Sequence, residues 1–198
     1  MRRLDLSPRS FRTPLAGLFL FVPLLDRIDL QAVLTAARLP SSQMIPAAQA
    51  VRSLLALKLT GIERNSHVMD LATDQAIALF AGINAVPKRS YLAAYSSRIG
   101  HKVCLRFMEA WLEQVEQAGL PHGASFDLDF HSVPANSAQE PLEKHYVSSR
   151  SRSQKGILVF LARDAEQRVL RYANAGVTKN EQSDEILQFG SGGGKACH

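Results

Sequence analysis

The chain has 198 residues, of which 46% are hydrophobic and 21% are charged. This balance is typical of globular proteins and excludes a chain that is disordered throughout. The formal net charge of +5 favours an anionic partner, with nucleic acid the first candidate. The two cysteines, Cys104 and Cys197, have no CxxC or Cys/His spacing, so we expect neither a structural zinc site nor a disulfide framework.

An apolar run from Pro14 to Leu25 follows several arginines near the start of the sequence. This arrangement resembles a signal peptide or a membrane anchor. The run is shorter than the roughly 20 residues that span a bilayer, and no small-residue cleavage site follows it. We therefore expect a buried helix here and no contact with a membrane.

Residues 14–120 have the apolar spacing of α-helices. One helix is predicted from about Pro46 to Leu59, followed by Gly61. Its predicted apolar face consists of Val51, Leu54, Leu55 and Leu59. Further helices are predicted over 65–82, with a break near Thr73, and over 87–98 and 100–118.

The hydrophobic period changes at Gly123, where helical spacing gives way to strict alternation over 124–133. One face of the predicted strand carries Phe126, Leu128 and Phe130, and the other carries Asp127, Asp129 and His131. Two more strands are predicted over 156–162 and 168–173, joined by a turn at 164–166. A polar, basic stretch occupies 134–155, and a helix is predicted over 181–189 before the glycine run 190–194.

This order of elements predicts an α+β or α/β chain with an all-helical N-terminal domain over 1–120. A second domain begins at 121 and runs to 189, followed by an aberrant glycine-rich tail over 190–198. Three strands and one short helix cannot cover both faces of a sheet. The second domain is therefore expected to be incomplete.

The polar face of the strand over 124–133 is a candidate metal site. Residues i and i+2 of a strand lie about 7 Å apart, so the carboxylates of Asp127 and Asp129 repel unless a cation lies between them. Oxygen ligands of this kind suit Mg²⁺ or Mn²⁺ and phosphodiester chemistry. Two alternatives stay open. One is an edge strand with a solvated polar face, and the other is a metal-dependent phosphoesterase built on Asp129 and His131.

The basic stretch after this strand is a candidate nucleic-acid surface. Its cationic residues stand among serines and Tyr146, and they are Lys144, His145, Arg150, Arg152 and Lys155. Such side chains suit contacts with phosphate oxygens. A solvated loop is the alternative interpretation.

Several segments together resemble one group of insertion-sequence transposases with an RNase H-like DDE domain. The segments that carry the resemblance are Asp127 to Pro134, Glu143 to Ser148, Arg150 to Gly156, Phe160 to Ala165, Tyr172 to Ala175 and the polar helix Glu181 to Phe189. The helical part matches more loosely, over 78–82 and 86–98. The combined order of the segments is specific, whereas no single segment is.

The resemblance implies that the second domain is the start of an RNase H-like DDE catalytic domain, with its first three strands and a helix. It assigns the first catalytic aspartate and a Mg²⁺ or Mn²⁺ ligand to Asp129, with Asp127 as the second choice. The second Asp and the Glu of the family have no counterparts in this sequence. We therefore expect a transposase fragment that is catalytically incomplete, or a DNA-binding regulatory remnant without chemistry.

The resemblance also implies DNA recognition by the helical domain, with the terminal inverted repeats of the element as the partner. The best candidate is a helix-turn-helix over 64–98. Its second helix begins with Lys88, Arg89, Ser90 and Tyr91, which are residue types suited to DNA contact. A homodimer is the protein assembly to test, and the expected location is the bacterial cytoplasm, at the nucleoid.

Overall fold

The computed structural model describes residues 10–62, 65–71, 73–119, 121, 123–135, 142–147 and 151–193. These residues form a mixed α and β structure with seven α-helices and one four-stranded antiparallel sheet. The chain divides into two compact units, Met1–Gln114 and Val115–His198.

The first unit is helical. Its α-helices are α1 (Val22–Leu25), α2 (Leu30–Ala37), α3 (Ala47–Leu59), α4 (Gln75–Ala81), α5 (Arg89–Arg98) and most of α6 (His101–Gln117). Two 3-10 segments, Ala16–Phe21 and Asn65–Leu71, complete it. The predicted break near Thr73 is confirmed, because α4 begins anew with Asp74 as its N-cap, whose Oδ1 accepts a 2.8 Å hydrogen bond from the Ala76 N–H.

The apolar run at 14–25 is not the single buried helix that its sequence predicts. It forms the 3-10 segment Ala16–Phe21 and then the four-residue α1, in which Pro23 occupies the first turn. Leu18 is buried, whereas the side chains of Leu20 and Leu24 are exposed. No helix in the described part of the chain combines the length and the apolar character that a bilayer span requires.

Helix α3 is the centre of the helical unit. Ala56 belongs to one buried cluster with Leu18, Ile77 and Phe80, and the adjacent Leu57 belongs to a second with Val68 and Leu92. The helix ends at Leu59 with Thr60 as its C-cap, and Gly61 follows in the left-handed region at φ 78°. Two cores therefore meet on one helix.

The predicted apolar face of α3 is confirmed in part, because Leu54, Leu55 and Leu59 pack against the two core clusters. The fully buried positions are Ala47, Ala50, Ser53, Ala56 and Leu57, and the predicted Val51, Leu54, Leu55 and Leu59 are only half-buried. The reason is close packing: small side chains let neighbouring elements approach the helix backbone, and the larger apolar residues then flank that contact. Hydrophobicity alone does not identify such a face.

The second unit contains the sheet. Its strands are β1 (Phe126–Pro134), β2 (Glu143–Val147), β3 (Arg152–Asp164) and β4 (Leu170–Val177), followed by α7 (Gln182–Gln188). β1 pairs with β3 along one edge, from Phe126 opposite Asp164 to Pro134 opposite Gly156. β2 and β4 both pair with β3 as well, at Arg152–Gly156 and Leu158–Arg163. They lie end to end along the other edge of β3, because β1 already occupies the first edge.

The strand β2 was not predicted, so the sheet has four strands where the sequence predicts three. Its residues are polar and basic, with no run of alternating apolar side chains to signal a strand. A second difference concerns the glycine run, where the helical backbone continues from Phe189 to Gly193 as one π-turn instead of ending at Gly190.

One face of the sheet is covered by α7 and Phe189. Aromatic rings on this covered face contact one another at centroid distances of 4.9–6.1 Å, and they belong to Phe126, Phe130, Phe160, Tyr172 and Phe189. Glu185 of α7 accepts hydrogen bonds from the Tyr172 hydroxyl at 2.8 Å and from Asn174 Nδ2 at 2.7 Å. Buried polar contacts thus fix the helix on the sheet in one register.

The opposite face, called the open face here, carries the alternate residues of the same strands. They include Asp127, Asp129 and His131 of β1 and Val159, Leu161 and Arg163 of β3. The three β3 side chains are half-buried or exposed, whereas Phe160 and Ala162 between them are fully buried.

Asp164 and Arg171 together connect the β3–β4 turn to the end of α6 and to the segment before β1. Its carboxylate is fully buried and accepts backbone hydrogen bonds from Gly123 (2.7 Å), Glu166 (3.0 Å) and Gln167 (2.8 Å). Arg171, also buried, lies 3.5 Å from this carboxylate and donates to Glu116 and to the Pro121 carbonyl. The Gln167 N–H contributes most to holding the pKa of Asp164 below its ordinary value.

Replacement of Leu57 by alanine should lower the free energy of unfolding of the helical unit by about 2–5 kcal/mol, because it leaves a cavity in the second core cluster. The matched control is Lys58→Ala, which changes the exposed neighbour on the same helix and should cost at most about 0.5 kcal/mol. Urea unfolding followed by circular dichroism measures both. Equal losses would contradict the assignment of Leu57 to the core.

The Asp164 carboxylate should make the sheet unit sensitive to acid. Because its pKa is lowered in the folded protein, its stabilisation is fully present above the unfolded-state pKa of about 3.9 and is lost as the pH falls through the folded value. Asp164→Asn should therefore be less stable than the parent at neutral pH, and the difference should shrink below about pH 4. Urea titrations at several pH values measure this, with the exposed Asp184→Asn as control. A difference that is constant with pH would contradict it.

Candidate functional site

The carboxylates of β1 are held on a rigid strand. Nine consecutive residues of β1 pair with β3, so the backbone at Asp127 and Asp129 has a single register. Alternation places both side chains with His131 on the open face, and all three are exposed. The arrangement offers two carboxylates and one imidazole to a ligand that approaches that face.

The two aspartates differ in their surroundings. Asp127 lies opposite Arg163, and its Oδ2 is 3.9 Å from Arg163 Nε in an ion pair whose side chains are 65% and 49% exposed. Asp129 lies opposite Leu161 and has no hydrogen bond or ion pair within the described residues. An exposed ion pair of this kind contributes at most about 1 kcal/mol to the free energy of unfolding. Because Asp127 has this partner and Asp129 has none within the described residues, the Asp129 carboxylate is more available to a cation.

The donor set fits part of a magnesium site. Mg²⁺ in proteins usually takes one or two carboxylates, and waters and substrate phosphates complete its octahedron. Asp129 and Asp127, about 7 Å apart along the strand, can supply such carboxylates. Within the described residues, no group of three or more Asp, Glu, His or Cys side chains could hold a metal ion. The phosphoesterase alternative, built on Asp129 and His131, stays a prediction.

The basic stretch contains the strand β2, and this divides its residues between two faces. Lys144, Arg152 and Lys155 are exposed, as predicted for a nucleic-acid surface. His145 is only 5% exposed, and its Nε2 lies 3.8 Å from Glu143 Oε2. The expected contact of His145 with DNA is therefore corrected, because strand alternation turns its side chain inward. Arg150 lies outside the described residues.

The start of α5 is cationic and uncapped. Lys88 is its N-cap and makes no side-chain capping bond, and no acidic residue lies in the first turn. The positive end of the helix dipole makes cations unfavourable there unless an anion binds. Lys88, Arg89 and Ser90 are exposed, whereas Tyr91 packs on the core and its hydroxyl donates to the Ile45 carbonyl at 3.3 Å. Tyr91 thus has a structural role that sequence reasoning missed.

The helix-turn-helix interpretation stays a prediction. Helices α4 and α5 lie within the predicted 64–98 segment, but residues 82–88 connect them, which is longer than the usual turn of three or four residues. Their core residues also belong to different clusters, with Ile77 and Phe80 in one and Leu92 in the other.

Lys179 is a basic residue that sequence reasoning missed. It follows β4, and its Nζ donates to the Lys144 carbonyl at 2.6 Å while its backbone N–H donates to Glu143 Oε2 at 3.0 Å. A capping box fixes this turn: Glu181 Oε2 accepts from the Thr178 hydroxyl at 2.6 Å, which lowers the pKa of Glu181. The Thr-x-x-Glu spacing was the available signal.

No family model, no curated protein and no solved structure matches the chain.

Proposed function

We propose that this chain is part of a DDE-type DNA transposase, which binds the ends of an insertion sequence and contributes the first catalytic carboxylate. The observation that carries the proposal is the exposed Asp129 carboxylate, without a partner in the described residues, on a strand fixed at nine positions. Basic residues on the next strands of the same sheet support it. The RNase H-like assignment rests on the order of the long strands β1, β3 and β4 before α7, with the aspartate on the first of them.

The proposed roles follow from the geometry of the open face. Asp129, with Asp127 beside it, would hold Mg²⁺. When bound, the ion supplies Lewis-acid polarisation of the scissile phosphodiester. Arg163 Nε lies 3.9 Å from Asp127 Oδ2, whereas Asp129 has no partner within the described residues, so Asp129 is proposed as the primary ligand.

The proposal assigns DNA binding to this chain and DNA cleavage and strand transfer to an assembly that supplies all three carboxylates. The cationic start of α5 supports binding, since Lys88 and Arg89 combine side-chain charge with the unpaired N–H groups of a helix N-terminus. The alternative function, a DNA-binding remnant without chemistry, would use the same surface for DNA. It would differ only in that Asp129 holds no metal ion. Metal binding and DNA binding are therefore tested separately.

DNA binding should be detected as a mobility shift of duplexes that carry the terminal inverted repeats flanking the gene. The shift should weaken steeply with salt, because phosphate contacts release counterions. Lys88→Glu/Arg89→Glu should reduce the affinity about 10-fold or more. The control Arg12→Glu/Arg27→Glu makes the same charge change at exposed sites of the helical unit and should have a smaller effect. An unmutated chain that shifts no duplex at low salt would overturn the proposal.

Metal binding should be detected by Mn²⁺-induced broadening of backbone amide resonances over 126–131. Asp129→Asn should weaken this effect about 10-fold, because it removes the carboxylate without a partner, and Asp127→Asn should weaken it less. Asp184→Asn, at an exposed position of α7, is the control and should leave the broadening unchanged. Broadening that persists in Asp129→Asn would contradict the metal assignment and would favour the interpretation of the chain as a DNA-binding remnant.

A further inference from the structure

Among the residues that the structure describes, the hairpin of β2 and β3 extends beyond the rest of the sheet. β1 ends opposite Gly156, and one further backbone bond, from Ala135 N–H to the Lys155 carbonyl, closes its pairing with β3. Within the described residues, Arg152–Gln154 pair only with β2. We call this two-stranded ribbon, Glu143–Val147 with Arg152–Lys155, the arm.

The arm has two chemically different faces. Lys144 lies directly opposite Lys155, and Tyr146 lies opposite Ser153. These four residues share a face, since cross-strand partners point to the same side of a sheet. Glu143, His145 and Arg152 point to the other side. The only acidic side chain of the arm is therefore separated from its two lysines.

The pairing of Lys144 with Lys155 is unfavourable in the free protein. Like charges directly opposite each other destabilise an antiparallel pair. In the described residues, no carboxylate lies within salt-bridge distance of either ammonium group. Glu143, the nearest acid in sequence, contacts the Lys179 N–H at 3.0 Å and His145 Nε2 at 3.8 Å. A bound anion would remove this repulsion.

The lysine face of the arm is continuous with the open face. Along β3 the side chains of Lys155, Ile157, Val159 and Leu161 alternate onto one side, and Leu161 lies opposite Asp129. Leu161 lies six positions after Lys155 on β3, which is about 20 Å of extended chain. Phosphates of one strand of duplex DNA are spaced by roughly 3.4 Å along the helix axis, so this length corresponds to about six of them.

We infer that the arm binds the phosphate backbone of duplex DNA through Lys144 and Lys155 and so leads one strand along β3 toward Asp129. The inference rests on the proposed function, because it takes DNA as the ligand of this surface. Tyr146, 64% exposed, and Ser153 add hydroxyl groups, which contact phosphate oxygens in protein–DNA complexes. A two-stranded ribbon also has dimensions that DNA grooves admit.

The test compares two double variants of the full chain in fluorescence-anisotropy titrations with a labelled duplex at several salt concentrations. Lys144→Gln/Lys155→Gln removes the lysine pair. Arg27→Gln/Arg168→Gln removes two exposed cations that have no proposed DNA contact, one in the helical unit and one in the β3–β4 turn. Thermal unfolding of each variant checks that the fold is kept.

The lysine variant should bind about 10-fold more weakly, and the slope of log affinity against log salt should fall by about 2, as expected for two lost phosphate contacts. Its thermal midpoint should stay equal or rise, because the like-charge pair is gone. The arginine variant should bind within about twofold of the parent. A lysine variant with the parental slope, or an equal loss in both variants, overturns the inference alone, whereas a parent chain that binds no duplex overturns the proposed function.

Discussion

The long strand β3 is the constraint on which the sheet unit depends. It has 13 residues, and every other strand pairs with it, so its alternation decides which side chains of β1, β2 and β4 share a face. The even-numbered residues from Leu158 to Asp164 are buried, and the odd-numbered residues beside them are not. A shift of one residue in the pairing of β1 with β3 would turn Asp127 and Asp129 toward the aromatic core and Phe126 and Phe130 away from it. Register and candidate site are therefore specified together.

Polar contacts fix β3 at its C-terminal end, and further polar contacts join β4 to β2. At its C-terminal end, Asp164 binds three backbone N–H groups and lies beside the buried Arg171. Lys179, just after β4, donates hydrogen bonds to Glu143 Oε2 and to the Lys144 carbonyl, which connects the end of β4 to the start of β2. Removal of one partner from a buried charged pair costs more than the pair itself contributes, because the other charge stays buried. The hairpin turn is thereby coupled to the segment that leads into β1.

The sequence predicted the elements whose periodicity is strong and local. The helix α3, the break before α4, the helix α6 and the strand β1 were each expected close to their observed bounds, because caps, glycines and alternation mark them. The small residues that α3 buries most deeply were not, since alanine and serine mark close packing only when the neighbours are known. β2 was missed because a polar ribbon lacks an apolar pattern, and the burial of His145 was missed with it.

For the candidate site, the shared face of Asp127 and Asp129 followed from alternation alone. The ion pair with Arg163 depends on a cross-strand register that only the folded chain defines.

Gly156 marks the point where the arm leaves the sheet, opposite both Pro134 and Glu143. A Cβ atom at this position would lie 2.5 Å from the Val133 carbonyl oxygen, so any larger residue would push β1 away from β3. In evolutionary terms, the two sides of this glycine are under different constraints. On the arm side of it, Arg152–Gln154 pair only with β2 within the described residues, so a change there does not enter the pairing of β1 with β3. At the glycine itself, one added methyl group would disturb the strand that carries Asp129, although the two residues are far apart in the chain.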